Sequence, residues 1–184
     1  MSLTCPSCQK GKLKPDFIDN LFRCNTCTQC GGHWFYLPDY LAWLDKGKSE
    51  ATISNVLVEK DEQDTINAMV CPVTGNLMLK YRISNNTSHR LDLSPTLSAI
   101  WLDKNEWELI KEEGLSRQLN RIFTEPWQRK IKSDQAKETF EAMYQEEFGE
   151  ENYAKLKEMR DRLSNQKHKQ AMLAYLLADN PYSV

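Results

Sequence analysis

The residues best suited to chemistry are six cysteines, five of which lie within the first 30 residues. Cys5 and Cys8 form one Cys-x-x-Cys pair. Cys24, Cys27 and Cys30 follow at three-residue intervals. Clustered thiols in a reducing compartment indicate metal binding rather than disulfides. Because structural zinc takes four ligands and each tight Cys-x-x-Cys turn supplies two sulfur atoms, the sequence predicts one site that combines the first pair with two of the later three cysteines.

The residues around the second run favour Cys27 and Cys30 as the remaining ligands. Metal-binding turns curl the backbone around the sulfur atoms, and Gly31 and Gly32 permit such a curl directly after Cys30. No glycine directly follows Cys27, as it would if Cys24 and Cys27 were the pair. We therefore expect Cys24 to be a small half-buried residue, and competition of Cys24 for the metal is the alternative.

Three other kinds of site are alternatives to a structural zinc site. Four thiolates can also hold iron in a rubredoxin-like site, and the sequence leaves that alternative open. A catalytic zinc ion needs an open coordination position, which four thiolates do not leave, so no catalytic residue is predicted. A redox Cys-x-x-Cys is typical of a helix start in a strand–helix alternation that this sequence lacks. His33 is interpreted as an exposed polar residue, and His89 and His168 have no cysteine or acidic partner at ligand spacing.

The overall composition is that of a globular protein without a charge bias. The chain has 184 residues, of which 40% are hydrophobic and 27% charged, with a formal net charge of −2 and a pI near 6.0. Nucleic-acid-binding proteins usually carry a basic face or a high pI, so the total charge does not indicate such a partner. The first residues do not resemble a secretory leader, and no run of 18 apolar residues occurs. These features predict a cytoplasmic protein without a membrane span.

The chain is predicted to contain four segments. They are a zinc ribbon at residues 1–48, a linker at 49–68 whose apolar patch can dock, a metal-free ribbon-like repeat at 69–114 and a helical domain at 115–184.

The third segment resembles a degenerate copy of the first. When Cys71 is placed on Cys5 and one residue is inserted, the matches are Thr74 on Cys8, Leu79 on Leu13, Leu91 on Cys24, Ser94 on Cys27, Leu97 on Cys30 and Trp101 on Trp34. Three of the four ligand positions are lost, so such a copy must fold by apolar packing. The residues proposed for that core are Leu91, Leu93, Leu97, Ile100, Trp101 and Leu102. The alternative is an unrelated strand and helix.

The last segment is predicted to be helical. A short helical stretch over Leu115–Phe123 is followed by a long charged helix after the N-cap Thr124, and Gly149 ends that helix. A further helix is predicted over Glu150–Asn165 and a last one before Pro181. Apolar residues recur at helical spacing, namely Phe140, Met143, Tyr144, Phe148, Tyr153, Leu156, Met159, Leu163, Met172, Leu173, Leu176 and Leu177. We interpret these stripes as the core of a helical bundle.

About residues 3–45 resemble a known family. The pattern Cys-Pro-Ser-Cys, a gap, then Cys-x-x-Cys-Gly-Gly-His-Trp-Phe and an acidic, leucine-rich helical end is similar to the small bacterial zinc ribbons of the transcription-factor-IIB-type zinc-finger family. The resemblance implies a zinc-ribbon fold and one structural Zn²⁺ ion. The extra cysteine, the histidine before the tryptophan and the long helical tail depart from the family pattern. A role as a general transcription factor does not follow.

Together these patterns predict a non-enzymatic α+β protein with a small antiparallel zinc ribbon, a second metal-free ribbon-like module and a C-terminal helical domain. The predicted function is that of an adaptor whose zinc-stabilised surface binds a larger protein or ribonucleoprotein assembly. The alternative is a nucleic-acid-binding zinc ribbon that acts in transcription or translation. Its candidate contacts are Arg121, Arg129, Lys130 and Lys132 near Trp127, Lys167 to Lys169, and the aromatic residues Trp34, Phe35, Tyr36, Tyr40 and Trp43.

Overall fold

A computed structural model of the chain describes residues 3–47 and 68–182, so the predicted linker lies outside the described residues apart from residue 68. The chain divides into two compact units, Met1–Ser133 and Asp134–Val184. The strands are β1 Leu13–Ile18, β2 Phe22–Cys27, β3 His33–Tyr36, β4 Leu79–Arg82, β5 Arg90–Ser94 and β6 Ala99–Leu102. The helices are α1 Leu37–Lys46, α2 Glu106–Glu112, α3 Leu119–Ile122, α4 Glu125–Phe148, α5 Glu150–Ser164 and α6 Lys169–Leu177.

The six strands form one antiparallel sheet in the order β1-β2-β3-β6-β5-β4. The N-terminal and later triplets of strands join where β3 pairs with β6, with Trp34 opposite Trp101. Each joining strand covers the free edge of the other, which leaves β1 and β4 as the sheet edges. The prediction of an antiparallel sheet followed by C-terminal helices is confirmed. One sheet, rather than one for each predicted module, organises the first unit.

Apolar side chains are buried on both faces of this sheet. Successive side chains of a strand point to opposite faces, so Trp34 and Phe35 in β3 belong to different cores. The cysteine-side core consists of Cys5, Leu13, Cys27, Trp34, Met69, Cys71, Met78, Ala99 and Trp101. The helix-side core includes Ile18, Phe22, Cys24, Phe35, Tyr40, Ile83, Leu91, Ile100, Leu102, Trp107, Ile110, Leu119 and Ile122.

Phe22 lies at the centre of an aromatic cluster in the helix-side core. Its ring centroid is 5.1 Å from that of Phe35 in the sheet and 5.6 Å from that of Tyr40 in α1. The rings of Trp43 and Trp107 are 5.6 and 5.4 Å away. The edge-to-face contacts among these rings favour one packing arrangement. Burial of the cluster holds α1 and α2 on the same face of the sheet.

Side-chain hydrogen bonds connect three of the predicted segments within the first unit. The Tyr40 hydroxyl donates to the Ser116 carbonyl oxygen at 3.0 Å and accepts from the Leu119 N–H at 3.0 Å. The indole N–H of Trp107 donates to Asp19 Oδ2 at 2.9 Å. The first residues of the predicted helical domain therefore pack with the sheet. Whether each of the four predicted segments folds independently stays a prediction.

The predicted limits of α4 agree with the structure, whereas the helical stretch predicted over Leu115–Phe123 contains only the four residues of α3. α1 carries Pro38 in its first turn, where a proline leaves no hydrogen bond unmade. α4 begins directly after Thr124 and ends directly before Gly149. Gly149 has a φ of +79°, a conformation that glycine adopts at no steric cost and that stops a helix.

The interpretation of the C-terminal stripes as a bundle core is wrong. No described residue of the second unit is buried, and the exposed fraction is 55% for Phe140, 49% for Leu156 and 52% for Leu176. A segment of about 50 residues has a high ratio of surface to volume, so it buries a smaller fraction of its apolar surface than a larger domain does. The second unit therefore presents its apolar residues at its surface.

Candidate metal centre

Two tight turns present sulfur atoms to one another beside the cysteine-side core. In the first turn, the Cys8 N–H donates to Cys5 Sγ at 3.4 Å and the Gly11 N–H donates to Cys8 Sγ at 3.3 Å. In the second, the Gln29 N–H donates to Cys27 Sγ at 3.4 Å. Backbone N–H groups that point at sulfur stabilise the thiolate form, which is the form that binds metal. Both turns thus present their sulfur atoms in the form that binds metal.

The spacing of the sulfur atoms fits a tetrahedral ion. The ligand atoms of Cys5, Cys8, Cys27 and Cys30 all lie within 4.8 Å of one another. Cys5 Sγ lies 3.6 Å from Cys30 Sγ, and Cys8 Sγ lies 3.7 Å from Cys27 Sγ. Two sulfur atoms bound at about 2.3 Å to a tetrahedral zinc ion are roughly 3.8 Å apart. The prediction of a zinc site is confirmed by this cluster of four cysteines.

Cys5, Cys8 and Cys30 differ in how readily their thiols ionise. Burial opposes ionisation of Cys8, but the backbone N–H groups of Gly11 and Lys10 outweigh it and lower its pKa to about 6. Burial raises the pKa of Cys5, and it raises that of Cys30 to about 11. Because zinc binds thiolates, its binding displaces protons from these thiols. The affinity for zinc therefore falls as the pH is lowered.

Cys24 lies on the opposite face of the sheet from Cys27. Both belong to β2, and side chains three positions apart on a strand point to opposite faces. Cys24 lies in the helix-side core with 5% of its surface exposed, and burial raises its pKa to about 11. Its sulfur is 3.7 Å from Thr26 Oγ1 and, among the described residues, takes no part in the cysteine cluster. The expectation of a half-buried residue is corrected to a fully buried one.

The prediction that His33 is exposed is wrong, because the ring is half-buried between neighbouring strands. Thr26 Oγ1 donates to Asp16 Oδ2 at 2.7 Å and lies 3.0 Å from His33 Nδ1. Since the hydroxyl proton is committed to Asp16, the oxygen can accept from an Nδ1–H group of His33. Burial lowers the pKa of His33 and favours the neutral ring. His33 is thus part of a polar chain at the sheet surface and lies outside the cysteine cluster.

The two glycines after Cys30 have different roles. Gly31 has a φ of +75° and provides the predicted curl of the backbone. A Cβ atom on Gly32 would lie 2.3 Å from Cζ2 of Trp101, so this glycine leaves room for a ring contributed by β6. The sequence predicted a curl at both positions, and the second reason depends on a residue far along the chain.

The turn at Cys71 makes a backbone hydrogen bond of the same kind as the turn at Cys5. Cys71 Sγ accepts from the Thr74 N–H at 3.4 Å, as Cys5 Sγ does from Cys8. Although burial opposes ionisation of Cys71, hydrogen bonds from Ser94 and Thr74 lower its pKa. The predicted apolar residues pack as expected: Leu91, Ile100, Trp101 and Leu102 are buried, and Leu93 and Leu97 pack partly buried against the cores.

A buried carboxyl that sequence spacing did not predict lies at the start of α2. Glu106 is 2% exposed, and its Oε2 accepts from the Asp103 N–H at 2.8 Å. Its Oε1 lies 3.5 Å from His89 Nδ1. Burial raises the pKa of Glu106 to about 7, although the hydrogen bond with His89 opposes the shift. The only signal in the sequence is an acidic residue at a helix start, which is common at exposed positions too.

The stability of wild type relative to Glu106→Gln is expected to fall by about 1 kcal/mol between pH 6 and 8.5, because the contribution of Glu106 is lost over this range. A pKa raised on folding means that the native state binds the proton more tightly than the unfolded state. The contribution of Glu106 to the free energy of unfolding is therefore complete below the pKa of the unfolded state. It is lost as the pH rises through the pKa of the folded state, near 7. Urea unfolding in zinc-containing buffer measures the slope. Glu108→Gln on the same helix is the control, and an unchanged slope in Glu106→Gln would contradict the assignment.

Comparison with known proteins agrees with the geometry. Residues 4–46 match the family model described as transcription factor zinc-finger, whose name specifies a TFIIB-type zinc ribbon. No curated protein and no solved structure matched the chain. Among the described residues, no helix is long and apolar enough to cross a membrane. The N-terminal segment is therefore a zinc ribbon of this family type, with its zinc-binding site formed by Cys5, Cys8, Cys27 and Cys30.

Proposed function

We propose that the protein is a non-enzymatic cytoplasmic adaptor whose zinc ribbon stabilises a surface that binds a larger protein or ribonucleoprotein assembly. Four cysteine ligands close the coordination sphere of zinc, and a closed site holds the fold together without a position for a substrate. The single observation that carries the adaptor function is an exposed apolar patch on the later half of the sheet.

We further propose that residues 69–114 are a metal-free second ribbon. Two pairs of matching backbone hydrogen bonds support this. In the first pair, the Cys5 N–H donates to Gly11 O at 2.9 Å and the Cys71 N–H donates to Asn76 O at 2.8 Å. In the second pair, the Leu13 N–H donates to Leu3 O at 2.9 Å and the Met78 N–H donates to Met69 O at 2.8 Å. On this proposal the alignment shifts by one residue after the turn, because the second turn is shorter. Met78, 3% exposed, takes the place of Leu13, whereas Leu79 is 47% exposed.

With this alignment, the exposed residues around the two turns differ in polarity. The apolar patch consists of Val70, Val73, Leu77 and Leu79, which are 45%, 45%, 62% and 47% exposed. The equivalent positions of the first ribbon hold Thr4, Ser7, Lys12 and Lys14. Since a ribbon turn folds with polar residues at these positions, the fold does not require apolar ones. Exposed apolar residues that the fold does not require are typical of protein-binding surfaces.

The nucleic-acid-binding alternative has weaker support among the described residues. Trp34 and Tyr40 are fully buried and Phe35 is 1% exposed, so three of the five candidate aromatic residues offer no ring face for stacking on bases. The indole N–H of Trp127 donates to the Ile83 carbonyl oxygen at 3.0 Å, which holds that ring against the sheet. The nearby Arg129 pairs with Glu125, which reduces the local positive charge.

The adaptor proposal is tested by capture from native lysate with the full chain as bait. Val73→Glu with Leu77→Glu places two charges in the apolar patch at exposed positions, so the fold should persist. We expect wild type to capture a defined macromolecular partner and the double variant to capture at least tenfold less. Phe17→Glu changes an apolar residue that is 54% exposed on the first ribbon and serves as the matched control.

Two results would count against the adaptor. One is the absence of any macromolecular partner of the wild-type bait, and the other is equal capture by the double variant. Ribonuclease treatment distinguishes a protein partner from a ribonucleoprotein. A salt-dependent mobility shift with RNA or DNA would favour the alternative function, whereas no shift at low salt would remove it.

A further inference from the structure

The second unit, Asp134–Val184, exposes two apolar grooves on either side of α5. The groove beside α6 has a volume of about 420 Å³ and is lined by Met159, Leu163, Ala171, Met172, Tyr175 and Leu176. The groove beside α4 has a volume of about 800 Å³ and combines Phe140, Tyr144, Phe148, Tyr153 and Leu156 with charged residues. Exposed apolar residues that line grooves are a common feature of interaction sites.

Opposite charges are concentrated at the two ends of α5. The segment 146–151, Glu-Glu-Phe-Gly-Glu-Glu, has four acidic residues and no basic one, which gives a charge of −4. The segment 160–169 has Arg160, Arg162, Lys167 and Lys169 against Asp161, which gives +3. The 15 residues of α5 extend about 22 Å. This length exceeds the screening distance of about 8 Å at physiological salt, so each end acts as a separate charge cluster.

Four of these charged residues lie at helix ends where the helix dipole disfavours their sign of charge. Glu146 and Glu147 lie in the last turn of α4, where the helix dipole disfavours negative charge. Lys169 begins α6 and Lys167 precedes it, where positive charge is disfavoured. None of the ion pairs among the described residues involves these four side chains. Neither helix stability nor an internal ion pair therefore explains their placement.

We propose that the second unit binds a second copy of itself, with the two α5 helices antiparallel about a twofold axis. An antiparallel pair places the acidic end of each α5 against the basic end of its partner, so the complementary contact forms twice. The same pairing covers the apolar grooves that flank α5. Leu156 and Lys157 in the middle of the helix lie near the axis, because the two charge clusters lie at similar chain distances on either side. This homodimer is independent of the proposed adaptor function.

Charge reversal in the full chain tests the pairing. Glu146→Lys with Glu147→Lys, or Lys167→Glu with Lys169→Glu, places like charges together at both ends, and each double variant should dimerise at least tenfold more weakly than wild type. An equimolar mixture of the two variants should restore a heterodimer, and the quadruple variant should restore a homodimer. Sedimentation velocity over a concentration series measures the mass, which is 21.4 kDa for one chain. Lys130→Glu with Lys132→Glu, outside the second unit, is the charge-matched control.

A second pair of variants tests the apolar contact. Leu176→Glu places a charge in the groove beside α6 and should abolish the dimer, whereas Leu177→Glu changes a neighbour that is 83% exposed and does not line the groove. The proposal is overturned if wild type remains a monomer at every concentration. It is also overturned if both double variants dimerise like wild type, or if their mixture fails to associate, since antiparallel complementarity requires rescue.

Discussion

Cys24→Ala protein is expected to purify with one zinc ion per chain, whereas Cys27→Ala protein should contain none and should unfold at its N-terminal ribbon. Cys27 is one of four sulfur atoms within 4.8 Å of one another, and Cys24 points to the other face of the same strand. Structural zinc contributes on the order of 10 kcal/mol to the folding of small zinc domains. Loss of the small buried side chain of Cys24 should cost about 1 kcal/mol.

Elemental analysis of the purified variants measures the metal, and hydrogen exchange of the β1 and β2 amides measures the unfolding. Elemental analysis also identifies the metal as zinc or iron. Cys71→Ala is a second control, because Cys71 is buried in the same cysteine-side core but lies outside the cluster of ligands found among the described residues. If Cys24→Ala loses the metal, or if Cys27→Ala retains it with normal affinity, the ligand assignment is wrong.

Replacement of Thr74, Ser94 and Leu97 by cysteine is expected to raise the zinc content from one ion to two. The proposed second ribbon retains Cys71, and the Thr74 N–H still donates to its sulfur at 3.4 Å as the Cys8 N–H does to Cys5. Ser98 has a φ of +48° where Gly31 of the first ribbon has +75°, so the backbone curl after the fourth ligand position persists. In the proposed second ribbon, three side chains separate the four ligand positions from a tetrathiolate site.

The double variant Thr74→Cys with Ser94→Cys retains Leu97 and therefore offers three ligands. It should bind the second zinc ion at least tenfold more weakly than the triple variant. Competition with a chelator of known affinity measures the zinc affinity of the double and of the triple variant. If the triple variant is folded and still holds a single zinc ion, the two turns are not equivalent, and the proposed repeat fails while the first zinc site is unaffected.

Local patterns predicted much of the metal site. A Cys-x-x-Cys turn is a short-range structure. Glycine after the second cysteine indicates a curl of the backbone, and this curl depends only on adjacent residues. The cluster of Cys5, Cys8, Cys27 and Cys30 matches that prediction. The limits of α4 were predictable for the same reason, because its first turn and the stop at Gly149 are set by neighbouring residues.

Features that depend on distant residues were not predictable in the same way. The pairing of Trp34 with Trp101, the room that Gly32 leaves for Trp101 and the contact of His89 with Glu106 each join residues far apart along the chain. The apolar stripes of the C-terminal helices were also not predictable from local patterns. A periodic apolar face indicates that a helix has a surface to bury, but it does not identify the partner that buries it. The sequence by itself determined the zinc ligands, the ribbon and the limits of α4 through local geometry. The tertiary structure decided that one sheet joins both halves, that Cys24 is fully buried in the helix-side core, and that the C-terminal apolar residues face outward, because each depends on long-range packing.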